Sequence, residues 1–301
     1  MRVLVLGAYG MLGHKLVQHL SSDFYVTGGV RKIDESKNHF LDLSGASVID
    51  GVDAMNISSI QDAISTTDPD VVINCIGLIK QKAEANLAIP TITLNALFPH
   101  QLAEVCKVNG SRVIHFSTDC VFSGSKGSYS LNDRPDADDY YGRTKLLGEI
   151  AYPHTITIRS SIVGRELGSK NGLFEWLISN RGGRVKGYAN SFFSGLTTLE
   201  MSKVVKLIIK DHPDLSGLWQ VAADPISKLD LISLLNKEME LGIDIDPDYR
   251  VKCDRTLDGS EFNIISGYSS PTWLEMVKEF VNDSVRYSSY FSAEGMKNVF
   301  A

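Results

Sequence analysis

The sequence predicts a doubly wound α/β fold, a parallel sheet with helices on both faces, joined to a smaller α/β domain. Three observations carry this. Short β-rich runs alternate with longer helical patterns through the first half, as chains with a parallel sheet do. The first such run ends in a glycine-rich turn that opens a helix. The chain has 301 residues, 43% hydrophobic and 22% charged, which is ordinary globular composition with room for one large domain or two modest ones.

Residues 3–6 form a continuous apolar run, as a strand buried on both faces would. Residues 11–20 place Leu12, Leu16, Val17 and Leu20 at helical spacing. Strands are expected at 24–30, 70–76, 112–117 and 155–160, with helices at 60–65, 91–108 and 141–151 between them. The second half is less regular. It predicts helices at 199–210, 228–241 and 272–281, short strands at 217–221 and 249–253, and a polar tail at the end. No linker of low complexity separates the halves. We expect a boundary near residue 165, with segments after 190 free to return to the first domain.

Composition also excludes. Thirty basic against 36 acidic residues give a net charge of −6, so a non-specific nucleic-acid binder is not expected. No apolar run reaches the length of a membrane span, so no membrane partner is expected. The first apolar run is too short for a signal-peptide core. The four cysteines, Cys75, Cys106, Cys120 and Cys253, show no CxxC spacing. A disulfide framework or zinc site is therefore not expected, and a reduced cytoplasmic setting is.

Gly7, Gly10 and Gly13 give Gly-x-x-Gly-x-x-Gly between a strand and a helix. Such glycines allow the tight turn, the approach of backbone to a pyrophosphate and close helix–strand packing. The helix N-terminus offers free N–H groups to that phosphate. The turn's candidate cofactor contacts are Gly7, Tyr9, Gly10, Met11 and Gly13. The first two glycines are three residues apart, one more than in the dehydrogenase fingerprint. After the second strand comes Arg31, with no acid until Asp34. An arginine there suits a 2′-phosphate, so NADP(H) is expected in preference to NAD(H).

Tyr141 and Lys145 stand at i and i+4, on one face of a helix. A free phenol titrates near 10, and a neighbouring ammonium is expected to lower that value toward the working pH. Tyr140 is a rival, but its i+4 partner is the uncharged Thr144. Ser117-Thr118-Asp119 closes a strand at the carboxyl edge, where ligands of open α/β sheets bind. A hydroxyl there can orient a carbonyl; for Ser117 a turn or cap is the preferred reading.

Together these residues resemble the extended short-chain dehydrogenase/reductases, a Rossmann-type class. The runs 116–124 (FSTDCVFSG) and 141–149 (YGRTKLLGE) are similar to the dTDP-4-dehydrorhamnose reductase family, as are 68–75 and 193–199. The resemblance spans nearly the whole chain and is strongest to about residue 165. It implies Tyr141 as proton donor, Lys145 as its electrostatic partner and ribose ligand, and Thr118 as the carbonyl-orienting hydroxyl. It further implies Asp53 and Ala54 near the adenine (with Asp42 as a competitor), Cys75, Ile76 and Gly77 where the chain passes the cofactor, and Asn95 in the proton relay. A nucleotide-sugar substrate carries a diphosphate that needs cations. Among Arg165, Arg181, Arg184, Lys186 and Arg255, the resemblance favours Arg255. Phe174 and Trp176 read as core. No nucleic-acid or membrane partner is implied, and a homodimer is allowed.

The implied activity is reduction of the 4-keto group of a nucleoside-diphosphate 4-keto-6-deoxyhexose. Cys120 stands where that family has tyrosine. Related GDP-fucose synthases carry a catalytic cysteine two positions after the catalytic hydroxyl, paired with a downstream histidine. No histidine lies between residues 162 and 198 here, so Cys120 reads as a small buried side chain. An epimerase, an epimerase-reductase using Cys120, and a non-catalytic regulatory subunit of the same fold stay open as rivals.

Overall fold

Alternation along the first strand decides how the sheet is covered. In β1 (Arg2–Leu6), Val3 and Val5 join one apolar cluster, while Leu4 and Leu6 join another. Successive side chains of a strand point to opposite faces, so both faces of this strand must be packed by helices. The computed structural model describes residues 1–42, 44–80, 87–168 and 172–287, and the Asp42 side chain lies outside this set.

From β1 the chain turns into α1 (Met11–Leu20), β2 (Tyr25–Gly29), α2 (Glu35–Asp42), β3 (Ser47–Ile49), α3 (Ile57–Thr67) and β4 (Val71–Asn74). There follow α4 (Ala88–Ile92), a π-helical turn (Thr93–Leu97), α5 (Phe98–Asn109), β5 (Arg112–Ser117), α6 (Tyr140–Leu147) and β6 (Thr155–Arg159). The later chain comprises β7 (Ile162–Val163), α7 (Leu173–Ser179), β8 (Arg184–Tyr188), β9 (Ser191–Phe193), β10 (Leu196–Thr197), α8 (Thr198–Asp211) and β11 (Gly217–Gln220). It ends, among the described residues, with β12 (Ile226–Ser227), α9 (Lys228–Glu238), β13 (Asp244–Asp248), β14 (Cys253–Asp254), α10 (Ser260–Ser266) and α11 (Trp273–Ser284).

The main sheet has the order β11-β6-β5-β4-β1-β2-β3, all parallel. The order reverses between β1 and β4, the switch point at which such sheets bind ligands. Register aligns the strand ends there. Leu6 lies beside Asn74, and Asn74 beside His115. The residues that follow β1, β4 and β5 therefore share one edge. Helices α1 and α8 cover one face through Leu12, Leu16, Val17, Val204, Val205 and Ile208. Helices α3 and α5 cover the other through Ile60, Ile64, Phe98 and Leu102.

β11 brings residues 217–220 back beside β6. The remaining strands form small pairings: β7 with β10, β8 with β13, and β9 between β12 and β14. Of the expected strand at 249–253, only Cys253 lies in a strand, the first residue of β14. Residues 244–248 form a strand instead, and Arg250 folds back on Asp248, donating from Nε and Nη2 at 3.0 and 2.6 Å. That local pair ends the strand before Tyr249. Phe174 is core, but Trp176 is 37% exposed on α7 and is not. Helix α11 extends past 281 to Ser284, and most of the expected polar tail, 288–301, lies outside the described residues. Among the described residues, no helix is long and apolar enough to cross a membrane.

The expected single helix at 91–108 is interrupted by the π-helical turn. Pro99 explains it: in a regular helix its ring would meet the carbonyl four residues back, that of Asn95, and it has no N–H to offer that oxygen. The displaced Asn95 carbonyl sits against Gly148, where an added Cβ would lie 1.9 Å from the oxygen. Gly148→Ala should therefore destabilise the fold by about 1–3 kcal/mol, measured by denaturant unfolding. An unchanged midpoint would refute this packing.

Candidate active site

The glycine turn is built by close approach. Gly7 has φ +79°, and a Cβ there would lie 3.1 Å from Ile76 and 3.2 Å from the Cys75 carbonyl. A Cβ at Gly13 would lie 2.2 Å from the Gly7 oxygen, so only glycine lets α1 start directly over β1. Gly10 caps α1 with no side-chain hydrogen bond, and the first turn carries no acid. Open N–H groups without a neighbouring carboxylate suit a phosphate. The Tyr9 hydroxyl lies 3.4 Å from the Asp34 backbone and its ring 5.8 Å from the Lys37 ammonium.

Arg31 is exposed beyond the end of β2. Beside it, Asp34 pairs with Lys37 at 2.8 Å, which occupies the acid that follows the arginine. Asp53 closes a local turn: its Oδ1 accepts from the Met55 N–H at 3.0 Å. Ala54 is buried next to it.

Past β4, Asn74 turns its side-chain oxygen onto the Ile76 N–H at 3.0 Å. Asn95, fully buried in the π turn, accepts from the Leu78 N–H at 2.8 Å and donates to the Leu78 carbonyl at 3.0 Å. Both ends of its amide thus hold the Leu78 backbone. Gly77 sits against it, since a Cβ there would approach Asn95 Oδ1 to 3.2 Å. In this structure Asn95 shapes the loop after β4, and its Nδ2 also lies 3.5 Å from Thr144 Oγ1 on the helix of Tyr141 and Lys145.

Thr118, Tyr141 and Lys145 are brought together at the ends of β5 and α6. Asp139 starts α6 by accepting from the Gly142 N–H at 2.8 Å. Gly142 allows α6 to lie on the loop after β5, because a Cβ there would stand 2.2 Å from the Cys120 oxygen. The Tyr141 phenol lies near enough to the Thr118 hydroxyl to be influenced by it, and that hydroxyl donates to Asp119 Oδ1 at 3.0 Å. Thr118 Oγ1 also accepts from the Cys120 N–H at 3.1 Å, capping a short turn. Lys145 is 6% exposed and donates to the Phe116 carbonyl at 2.6 Å.

The electrostatics correct one expectation. Burial raises the Tyr141 phenol above its ordinary value, nearby Cys120 adds to the rise, and the Thr118 hydroxyl only partly opposes it. The Lys145 ammonium is engaged with Phe116, and at the phenol burial outweighs its pull. Burial instead acts on Lys145, bringing it down to about 8 against the pull of Glu149 and Cys75. Cys75 is itself raised by burial, with Lys145 opposing. Burial, then Asp119, pushes the Cys120 thiol up to about 12, so a thiolate does not form at neutral pH.

Arg255 reaches this edge because β14 docks on the loop after β5. The Asp254 N–H donates to Gly124 at 2.7 Å, the Tyr129 N–H to Thr256 at 2.8 Å, and Arg255 Nε to Phe122 at 2.9 Å. Gly124, at φ +88°, makes room: a Cβ would lie 2.6 Å from Cys253 Sγ. Of the other cations weighed, Arg165 is buried against Glu175 at 2.6 Å, and Arg184 is paired with Asp244 and Asp246.

Sequence reasoning missed the support beneath the site. Glu149 accepts from Arg159 at 2.6 and 2.7 Å and from Ser117 at 2.7 Å. Ser117 is therefore a strand residue tied to a buried ion pair, not a turn. Glu149 stands four residues after Lys145, a spacing that could have flagged it.

A seven-stranded parallel sheet with this order, a glycine turn at its switch point and a Tyr-x-x-x-Lys helix on the same edge defines the extended short-chain dehydrogenase/reductase class. Within that class, residues 1–171 match the model of the RmlD substrate binding domain, and the chain belongs to that family. A Haloferax volcanii protein named "Probable low-salt glycan biosynthesis reductase Agl14" is 30% identical over 188 residues, 60% of each chain. The dTDP-4-dehydrorhamnose reductase of Mycobacterium tuberculosis is 38% identical over 104 residues, 31% of this chain and 34% of that one. The matched stretches thus span about 60% and about a third of those relatives. A Bacillus anthracis dTDP-4-dehydrorhamnose reductase structure in complex with NADP superposes with a TM-score of 0.77 at 18% identity, covering 94% of this chain and 99% of that one. At that identity the likeness concerns the fold.

Lys145 titrates lower folded than its ordinary 10.5. Between about 8 and 10.5 the unfolded chain binds more protons, so stability rises with pH across that window. Unfolding free energies of wild type minus Lys145→Met should increase over it. A flat difference would mean that Lys145 keeps its ordinary value.

Proposed function

We propose that the chain is an NADPH-preferring reductase of the 4-keto group of a nucleoside-diphosphate 4-keto-6-deoxyhexose. The observation that carries this reading is the meeting of Thr118 with Tyr141, and of Lys145 with the end of β5, on the sheet edge that holds the glycine turn. Membership of the RmlD family supports the substrate class.

A bound reduced nicotinamide supplies the hydride. The chain binds, orients and delivers the proton. Gly7, Tyr9, Gly10, Met11 and Gly13 hold the diphosphate, Arg31 the 2′-phosphate, and Asp53 and Ala54 the adenine end. Cys75, Ile76 and Gly77 form the wall past β4, which Asn95 braces through Leu78. Lys145 holds the ribose.

Thr118 orients the sugar carbonyl, and Tyr141 gives its phenolic proton to the carbonyl oxygen as that oxygen gains charge. The raised phenol is in the acid form that this step needs. Arg255 spends Nε on Phe122, and its terminal nitrogens remain to meet the sugar-nucleotide diphosphate. The raised thiol of Cys120 speaks against an epimerase-reductase that would use it as a base.

NADPH consumption against dTDP-, UDP- and GDP-linked 4-keto-6-deoxy sugars tests the reading; no oxidation with any of them would end it. Tyr141→Phe should lower kcat by about 10²- to 10⁴-fold while cofactor still binds, and near-normal turnover would remove the proton-donor role. Arg31→Ala should weaken NADPH more than NADH in a binding titration. Equal losses would undo the cofactor preference.

A further inference from the structure

The second turn of α1 buries two polar side chains that the reaction does not use, His14 at 0% and Lys15 at 2% exposure. His14 Nδ1 lies 2.7 Å from the Gly10 carbonyl oxygen, and Nε2 lies 2.7 Å from the Tyr287 hydroxyl. Burial, with Lys15 adding to it, brings the imidazole down to about 3, so it is neutral at pH 7. A carbonyl oxygen can only accept, so Nδ1 carries the proton and donates to it. Nε2 is then the acceptor, and the Tyr287 hydroxyl donates to it.

The Tyr287 ring is held in turn. Lys15 Nζ stands 4.9 Å from its centroid and the Arg165 guanidinium 5.1 Å, with the Phe40 ring at 5.0 Å. Lys15 pairs with Asp283 of α11 at 2.5 Å, and Arg165 pairs with Glu175 of α7.

The Gly10 carbonyl and the Met11 N–H belong to one trans peptide unit, so they point in opposite directions. The carbonyl accepts from the His14 backbone N–H at 3.1 Å as well as from the His14 ring. Two donors hold it along the helix, and the Met11 N–H is thereby aimed out of the open end of α1, where an anion would meet it.

We propose that Tyr287 is a positioning residue for the cofactor diphosphate, acting through His14 on the Gly10–Met11 peptide, so that a residue just past α11 sets dinucleotide affinity. The inference rests on the dinucleotide reading above.

Tyr287→Phe keeps the ring between its cations and deletes only the hydroxyl. In the full-length chain the Kd for NADPH, measured by fluorescence titration, should rise about threefold to tenfold, the scale of one hydrogen bond. In turnover the loss should fall on the cofactor KM and not on kcat. Unchanged NADPH and NADH affinity in folded Tyr287→Phe overturns the proposal, whatever happens to its melting temperature. If that variant does not fold, nitrogen-15 NMR of the wild-type histidines decides. A proton on Nδ1 of His14 supports the relay, and a proton on Nε2 overturns it. A wild-type chain that takes up neither NADPH nor NADH overturns the dinucleotide reading and this inference with it, whereas wild-type binding with an equal variant overturns this inference alone.

Discussion

The arrangement of the sheet edge depends on a missing side chain. At Gly13 a single carbon would sit 2.2 Å from the Gly7 oxygen, far inside any van der Waals contact. Its absence lets α1 rise directly from the end of β1, so that the helix's open N–H groups face the switch point between β1 and β4. The same closeness sets what lies behind the turn. His14 and Lys15 reach Tyr287 and Asp283 only because the first turn of α1 is pressed onto β1. A shifted helix would leave two polar groups buried without partners, at a cost of about 1–3 kcal/mol each. The glycine is thus a condition for the packing as much as for a ligand.

A second constraint places α6. Pro99 cannot sit in a regular helix above the Asn95 carbonyl, and the wider π turn that results pushes this carbonyl toward Gly148. Asn95 meanwhile holds Leu78 from both sides. One irregular turn therefore fixes the loop after β4 and the end of α6 together. Beneath it the buried Glu149–Arg159 pair ties α6 to β5 and β6 through Ser117. Buried pairs gain little net stability, because desolvation consumes most of the attraction, yet losing one partner is costly. Such a pair is better suited to setting the position of Lys145 than to strengthening the fold.

These constraints mark what could be read from the chain alone. Strands buried on both faces announce themselves as apolar runs, and α1 and α8 do so by their periodicity, which is why the parallel sheet was legible. Helix α2 was not, since Glu35–Asp42 is polar and has no strong apolar stripe. The short strands of the second half carry two to five residues each, too few for an alternation to show. The site splits the same way. Local motifs named Thr118, Tyr141 and Lys145, but Tyr287 meets His14 across 273 residues, and no local pattern encodes that meeting. Pro99 was visible, but its effect on the helix depends on Gly148, which only packing brings near.

Spacing also misled on charge, and the reason bears on the chemistry. Placing a lysine four residues after a tyrosine brings a cation to the same helix face, but it does not say how dry that face is. Here Lys145 is taken up by the Phe116 carbonyl, and burial dominates both groups. The phenol is harder to ionise, and the ammonium easier to discharge. For a base that would be a defect, because a proton acceptor must begin ionised. For an acid it is the correct starting state: the phenol holds its proton until an oxygen of rising basicity stands beside it. The cation's part in the proposed reduction then comes after the transfer, when the phenolate left in a dry site needs a positive charge nearby. Lys145 keeps that charge only below about pH 8, so the same burial that readies the acid also limits the pH range over which its conjugate base is stabilised.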